Sequence, residues 1–215
     1  MKKAFPILKR YLFLCLGLTI MAFGVAFSIQ ADLGTSPISS LPYVSSLLVP
    51  LTVGQTTILL HCILILCQIA ILRRKYQLIQ LMQLPVALLF GYLTDFGVWA
   101  VQGLSYSAYW EQWIFCLIGI VLVAVGVSFE VTANVVVLAG EGVVLAICQV
   151  LPVKFGTIKV SFDVTLVILS CLLSLLFLGH LAGVREGTVA AALLVGTIAR
   201  RLNAPLGAWG KRHLQ

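Results

Sequence analysis

Residues Gly24 to Leu33 read GVAFSIQADL, and residues Gly126 to Val135, 102 positions later, read GVSFEVTANV. Four of the ten positions are identical and most of the others are conservative. The same offset sets Gly17 over Gly119, Ala22 over Ala124, Pro50 over Pro152 and Gly54 over Gly156. After three inserted residues the match resumes, with LPVALLFGYL (Leu84 to Leu93) over VAAALLVGTI (Val189 to Ile198). One matched block in apolar sequence carries little weight, because few residue types are in play. Collinear blocks with glycines and prolines in register mark a duplication whose halves are residues 1–103 and 104–215.

The medium of that duplicated unit follows from composition. Of 215 residues, 61% are hydrophobic and 10% charged, against about 45–50% and about 25% in soluble domains. A soluble particle of this size could not cover its surface with so few charges, and the mean hydropathy of +1.10 agrees. The chain reads as an integral membrane protein. That excludes a soluble enzyme, a nucleic-acid binder, a disulfide scaffold and a disordered chain. Cys15, Cys62, Cys67, Cys116, Cys148 and Cys171 all lie in apolar stretches without CxxC or His/Cys metal spacing, so they read as small packing residues. No metal and no cofactor is expected.

A transmembrane helix needs about 20 predominantly apolar residues. Six stretches qualify, at roughly 11–31, 56–73, 80–100, 113–131, 160–180 and 187–202. Two further apolar segments, 36–49 and 138–151, are too short to cross and are bounded by Gly or Pro. Lys2, Lys3, Lys9 and Arg10 precede the first run as in a signal peptide. That run exceeds the usual apolar length of about 7–15 residues and lacks an A-x-A site, so it is expected to stay as the first helix. With the N-terminus cytoplasmic and only the six long stretches crossing, thirteen of the fourteen Lys and Arg fall inside, and Arg185 alone falls outside. This is the asymmetry of the positive-inside rule, and the net charge of +7 reads as topology. Both termini are then cytoplasmic, and Tyr106, Tyr109, Trp110 and Trp113 form an outer aromatic belt.

Three crossings per half is an odd number, so the second half must insert upside down. The expected fold is an all-α polytopic membrane protein of about six transmembrane helices in a 3+3 inverted repeat, with two short broken or re-entrant helices. The interrupted segments 32–55 and 134–157 occupy equivalent places, the first dipping in from outside and the second from the cytoplasm. Irregular backbone at membrane depth survives only where protein or water surrounds it. Paired interruptions of this kind point to a transporter site near the midplane.

ADLGTSP (Ala31 to Pro37) at the end of a glycine-rich first helix, GQ at Gly54–Gln55, and VREGTVAAALLVG (Val184 to Gly196) together resemble the YitT/YczE-like family of bacterial inner-membrane proteins. The resemblance covers nearly the whole chain and implies a polytopic inner-membrane protein of about six spans. The family is largely uncharacterised, so it implies no substrate and no catalytic residue.

Ionisable groups inside the bilayer cost about 2.5–3.5 kcal/mol at the helix centre on insertion scales, and each needs a partner or a role. Glu141, between Gly140 and Gly142, reads either as a cation or proton ligand or as a carboxylate at a helix N-terminus. Asp163 follows Lys159 by four residues and reads either as an i,i+4 ion pair or as a coupling carboxylate. Its repeat mate His61 is either a titrating group or a satisfied core histidine. Asp32 pairs with Asn134 and Ser28 with Glu130 at the helix-to-break junctions, where Gln30, Thr132, Thr35, Ser36, Ser39 and Ser40 add hydrogen-bonding groups. These build either one polar site from both halves or ordinary helix ends among headgroups. Asp95 and Glu111 read as interfacial or solvated, and Glu186 as a helix cap. Gly17, Gly24, Gly119 and Gly126 read as close helix packing, with Gly54 and Gly156 as hinge or packing positions at the breaks.

The function expected from the sequence is a secondary transporter or permease for a small polar solute or ion, cationic or proton-coupled. Its candidate site is Glu141, Glu130, Asp32, Asn134, Asp163, His61, Gln30, Thr132 and Ser36. A channel of the same architecture and a non-transporting membrane partner are the rival readings. No enzymatic activity is expected, because no motif joins a nucleophile to a base and no Walker lysine is present. The partners expected are the lipid bilayer and the solute, with a second copy compatible with so much lateral surface and no nucleic acid.

Overall fold

The computed structural model describes residues 4–213, and within them the chain forms helices and no strand. In chain order these are α1 (Ala4–Gln30), α2 (Pro37–Leu48), α3 (Val53–Leu72), α4 (Gln83–Val101), α5 (Tyr109–Ala133), α6 (Ala139–Val150), α7 (Phe155–Leu173) and α8 (Glu186–His213). Short 3₁₀ turns at Arg73–Lys75 and Leu78–Met82 join α3 to α4, and a π turn at Ser174–Leu178 ends α7. Six stretches, those of α1, α3, α4, α5, α7 and α8, are long and apolar enough to cross a membrane. The expected spans coincide with them to within a few residues at most ends, although α1 starts earlier and α8 runs past 202. Large apolar side chains such as Leu66, Leu193 and Phe177 point outward at 65–69% exposure. That is the surface hydrocarbon requires and water would not tolerate in such quantity. The expected placement of Lys2, Lys3 and the two termini lies outside the described residues.

α1 and α5 form the central pair, packed along most of their lengths. They run antiparallel and touch through glycine. A Cβ on Gly126 would lie 2.7 Å from the Gly17 carbonyl, and one on Gly17 would lie 3.0 Å from the Gly126 carbonyl. Gly24 and Gly119 face each other in the same reciprocal way at 2.8 Å. Without a hydrophobic drive between helices in lipid, such small-residue seams let dispersion and backbone contacts hold them together. Phe13 stacked on Phe129 at 4.3 Å extends the seam.

The two short helices follow from matched breaks. α1 stops at Asp32 (φ 53) and α5 at its mate Asn134 (φ 48). Asp and Asn are the side chains that best tolerate the left-handed region. The chain then runs extended into α2 or α6, and the residues before them, Ser36 and Leu138, share φ −60 and ψ 152. The starts of α2 and α6 meet, since a Cβ on Gly140 would overlap the Ile38 side chain. α2 packs on α7 through Ser40 Oγ and Ser170 Oγ, 2.9 Å apart. At the corresponding positions of the other half, α6 packs on α3 with Gly142 against the Gln68 side chain.

One pair of equivalent seams is unequal. α3 packs closely on α4, whereas α7 and α8 stand apart. Between α3 and α4, Gly54 and Gly91 leave no room for a Cβ on either. Asp95 fastens that seam by accepting from Thr52 Oγ1 at 2.6 Å and from the Gly54 N–H at 2.7 Å. The corresponding glycines of the other half, Gly156 and Gly196, have open space around them. Arg200 stands where Asp95 does and Lys154 where Thr52 does, so like charges replace an acceptor and its donor.

Candidate functional site

The opening between α7 and α8 leads into a cavity of about 520 Å³ that reaches the meeting point of α2 and α6. This is within the range of about 300–1,000 Å³ usual for small-molecule sites. Its walls are mostly apolar, from Met21, Val25, Phe90, Val123 and Val195, with polar groups concentrated near the two helix starts. Five of the nine expected site residues line it: Glu141, Glu130, Asp163, His61 and Ser36.

Each of the five is positioned by a different constraint. Glu130, on the last turn of α5, is 2% exposed, and its Oε1 accepts the Leu138 N–H at 2.6 Å. It thereby satisfies one of the orphan donors at the start of α6. Glu141 sits in the first turn of α6. Its carboxylate makes no hydrogen bond and no close ion pair among the described residues. Asp163 accepts from Lys159 Nζ at 2.7 Å, the i,i+4 pair, with both side chains roughly a quarter exposed to the cavity mouth. His61 is 2% exposed, lies 6.1 Å from the Phe90 ring, and its Nδ1 has no partner. Ser36 precedes α2, and its Oγ donates to Ser39 Oγ at 3.0 Å.

The other four lie elsewhere. Gln30 donates to the Leu104 carbonyl at the far end of α1. Asp32 is exposed, with its carboxylate 3.8 Å from Arg185 and its carbonyl accepting from the same guanidinium at 2.8 Å. Asn134 belongs to a smaller pocket of about 280 Å³ on the opposite side of Glu130. Thr132 Oγ1 is buried without a partner and lines neither space. Asp32 and Asn134 thus act as helix terminators, for which their backbone conformation is sufficient reason. Among the packing glycines, Gly17, Gly24, Gly119, Gly126 and Gly54 make close contacts, whereas Gly156 makes none.

Several groups escaped the sequence reading. Thr57, Arg200 and Asn203 line the cavity, beside Ser39, which the sequence places among the hydrogen-bonding groups at the breaks. Gln68 donates to Gln83 Oε1 at 2.9 Å and to the Ala139 carbonyl at 3.2 Å, pinning α6 to α3 and α4. Two glutamines inside apolar helices were a visible signal for that bridge. Asp95, read as interfacial or solvated, also caps α3. Its partners lie 43 and 41 residues away, a distance at which no local pattern points. Among the described residues no three His, Cys, Asp or Glu side chains gather to hold a metal ion.

The polar lining is divided by half. Every acid in the cavity comes from the second half, Glu130, Glu141 and Asp163, while their mates at the 102-residue offset are Ser28, Ser39 and His61. Glu141 and His61, neither with a hydrogen-bond partner among the described residues, both line this cavity.

The model of a family of unknown function, DUF6198, matches residues 8–204. Uncharacterized protein YyaS of Bacillus subtilis (strain 168) is 32% identical over 120 residues, which cover 55% of this chain. The match spans 58% of that relative's length. No solved structure matches.

Proposed function

The chain belongs to the DUF6198 family of unknown function, and from that premise we propose that it is a small secondary transporter. Its two inverted halves alternately expose the cavity beside Glu141 to the two faces of the membrane. The observation that carries this reading is the inequality of equivalent seams. The α3–α4 seam is sealed by Gly54, Gly91 and Asp95, while the α7–α8 seam is open onto the cavity. Two arrangements of one packing unit, present in the same molecule, are what a two-state transporter needs on its two sides.

Inversion is supported by contacts that map onto one another at the 102-residue offset. Gly17 faces Gly126 as Gly119 faces Gly24, and Ser40 meets Ser170 as Gly142 meets Gln68. We place the protein in the bacterial inner membrane with both termini cytoplasmic, on the charge asymmetry and on the likeness to YitT/YczE-like proteins. The open seam then faces the cytoplasm. Glu141 is the group a cation or proton would engage, because it is the cavity acid with no partner of its own. The closed α3–α4 seam favours this reading over a channel, which needs a path open to both sides at once.

Labelling a cavity position from each side tests the proposal. On a cysteine-free background, Ser39→Cys should react with a membrane-impermeant thiol reagent in inverted vesicles and be protected in intact cells whenever the protein rests as described here. Simultaneous, equal reaction from both sides is the channel's signature and would replace the transporter reading.

A further inference from the structure

The cavity is polarised, and this bears on what enters it. The start of α6 carries its own compensation for the positive end of the helix dipole. Glu130 accepts the Leu138 N–H, and Glu141 lies in the first turn. The start of α2 has no acid in its first turn. Proline at its first position removes one donor, the Ser39 and Ser40 N–H groups turn back to the Ser36 carbonyl, and the Ile38 N–H has no partner among the described residues. Helix starts of this kind attract anionic groups. A second observation points to the same wall. His61 is 2% exposed, lines the same cavity as Ser36 and Ile38, and is left with an unpartnered ring. A buried polar group without a partner is destabilising, so a ligand that engages it recovers that loss.

Acids line the same cavity. Lys159 offsets Asp163, its ion-pair partner. Arg200 lies further along, on α8. Glu141, which makes no hydrogen bond or close ion pair among the described residues, adjoins Gly140, against which Ile38 packs. The start of α2, His61 and Glu141 therefore share one cavity of about 520 Å³, with Ile38 and Gly140 in contact between the two helix starts.

We propose that the cavity binds a small zwitterion, its carboxylate held at the start of α2 by the Ile38 N–H, Ser36, Ser39 and His61, and its ammonium held by Glu141. This deepens the transporter reading and rests on the same cavity.

The test uses the full-length protein in lipid nanodiscs and needs no variant for its main arm. Thermal stabilisation is measured with the standard amino acids, β-alanine and glycine betaine. The best of these is then compared with its amine lacking the carboxylate and its acid lacking the amine. The zwitterion should bind about tenfold or more tighter than either truncated analogue, as a charge-assisted hydrogen bond at each pole requires. Ser36→Ala with Ser39→Ala should bring the zwitterion's affinity down toward the amine's while leaving the amine's own affinity unchanged. Glu141→Gln should weaken zwitterion and amine alike. An amine that binds the wild type as tightly as the zwitterion overturns the proposal, as does no stabilisation by any zwitterion in the panel. Uptake into proteoliposomes separates this from the function itself. Zwitterion binding without uptake removes the transporter reading and keeps the site, whereas uptake indifferent to the carboxylate does the reverse.

Discussion

At the residue scale, the side chains that hold the molecule together and those that face the cavity are largely different sets. Asp95 illustrates the first. It accepts from the Thr52 hydroxyl and the Gly54 N–H at 2.6 and 2.7 Å, so it caps α3 from a neighbouring helix. Asp95→Ala should lower stability by about 1–3 kcal/mol, because two donors lose an acceptor. Asp95→Asn should cost less, since one carbonyl oxygen remains to accept the Gly54 N–H. Unfolding midpoints in detergent provide the comparison, and an unchanged midpoint for the alanine variant would remove the cap from the account. Glu141 illustrates the second set, with no such partner to lose. Its place in the cavity lining was legible because a carboxylate flanked by glycines in an apolar segment has few inexpensive explanations. The terminating role of Asp32 and Asn134 was not legible, since a left-handed backbone conformation leaves no mark that distinguishes it from a polar site.

At the element scale, the glycines of α1 and α5 set how closely the halves approach. A Cβ added at Gly126 would lie 2.6 Å from Met21 Cβ and 2.7 Å from the Gly17 carbonyl. Both are fixed parts of a helix rather than flexible chain ends. Gly126→Ala should therefore destabilise by about 1–3 kcal/mol through overpacking. Gly207→Ala, on α8 with open space around it, should be neutral or stabilising by about 0.5–1 kcal/mol through reduced chain entropy. Equal effects in a thermal or chemical unfolding series would mean that the seam is not tightly packed. The elements themselves were readable: apolar length places the six long helices, and paired Gly and Pro place α2 and α6. What the pattern could not convey was which seam is closed. Gly54 and Gly156 are the same residue at equivalent positions, yet only Gly54 is in contact. The difference comes from Asp95 against Arg200, outside the aligned blocks.

At the scale of the whole molecule, the account treats the described arrangement as one of two, with the closed α3–α4 seam as the template for the other state of α7 and α8. Closing α7 onto α8 in that geometry would bring Lys154 and Arg200 together, as Thr52 and Asp95 now meet. The most direct measurement replaces that pair with cysteines, Lys154→Cys with Arg200→Cys, on a cysteine-free background, and also places a reporter cysteine at Ser39. Alternating access predicts that oxidation cross-links the pair across the seam and that Ser39→Cys then becomes inaccessible from the cytoplasmic side while gaining reactivity from outside. A pair that never cross-links, with the reporter reactive from the cytoplasm throughout, would contradict alternating access and leave a fixed, one-sided cavity.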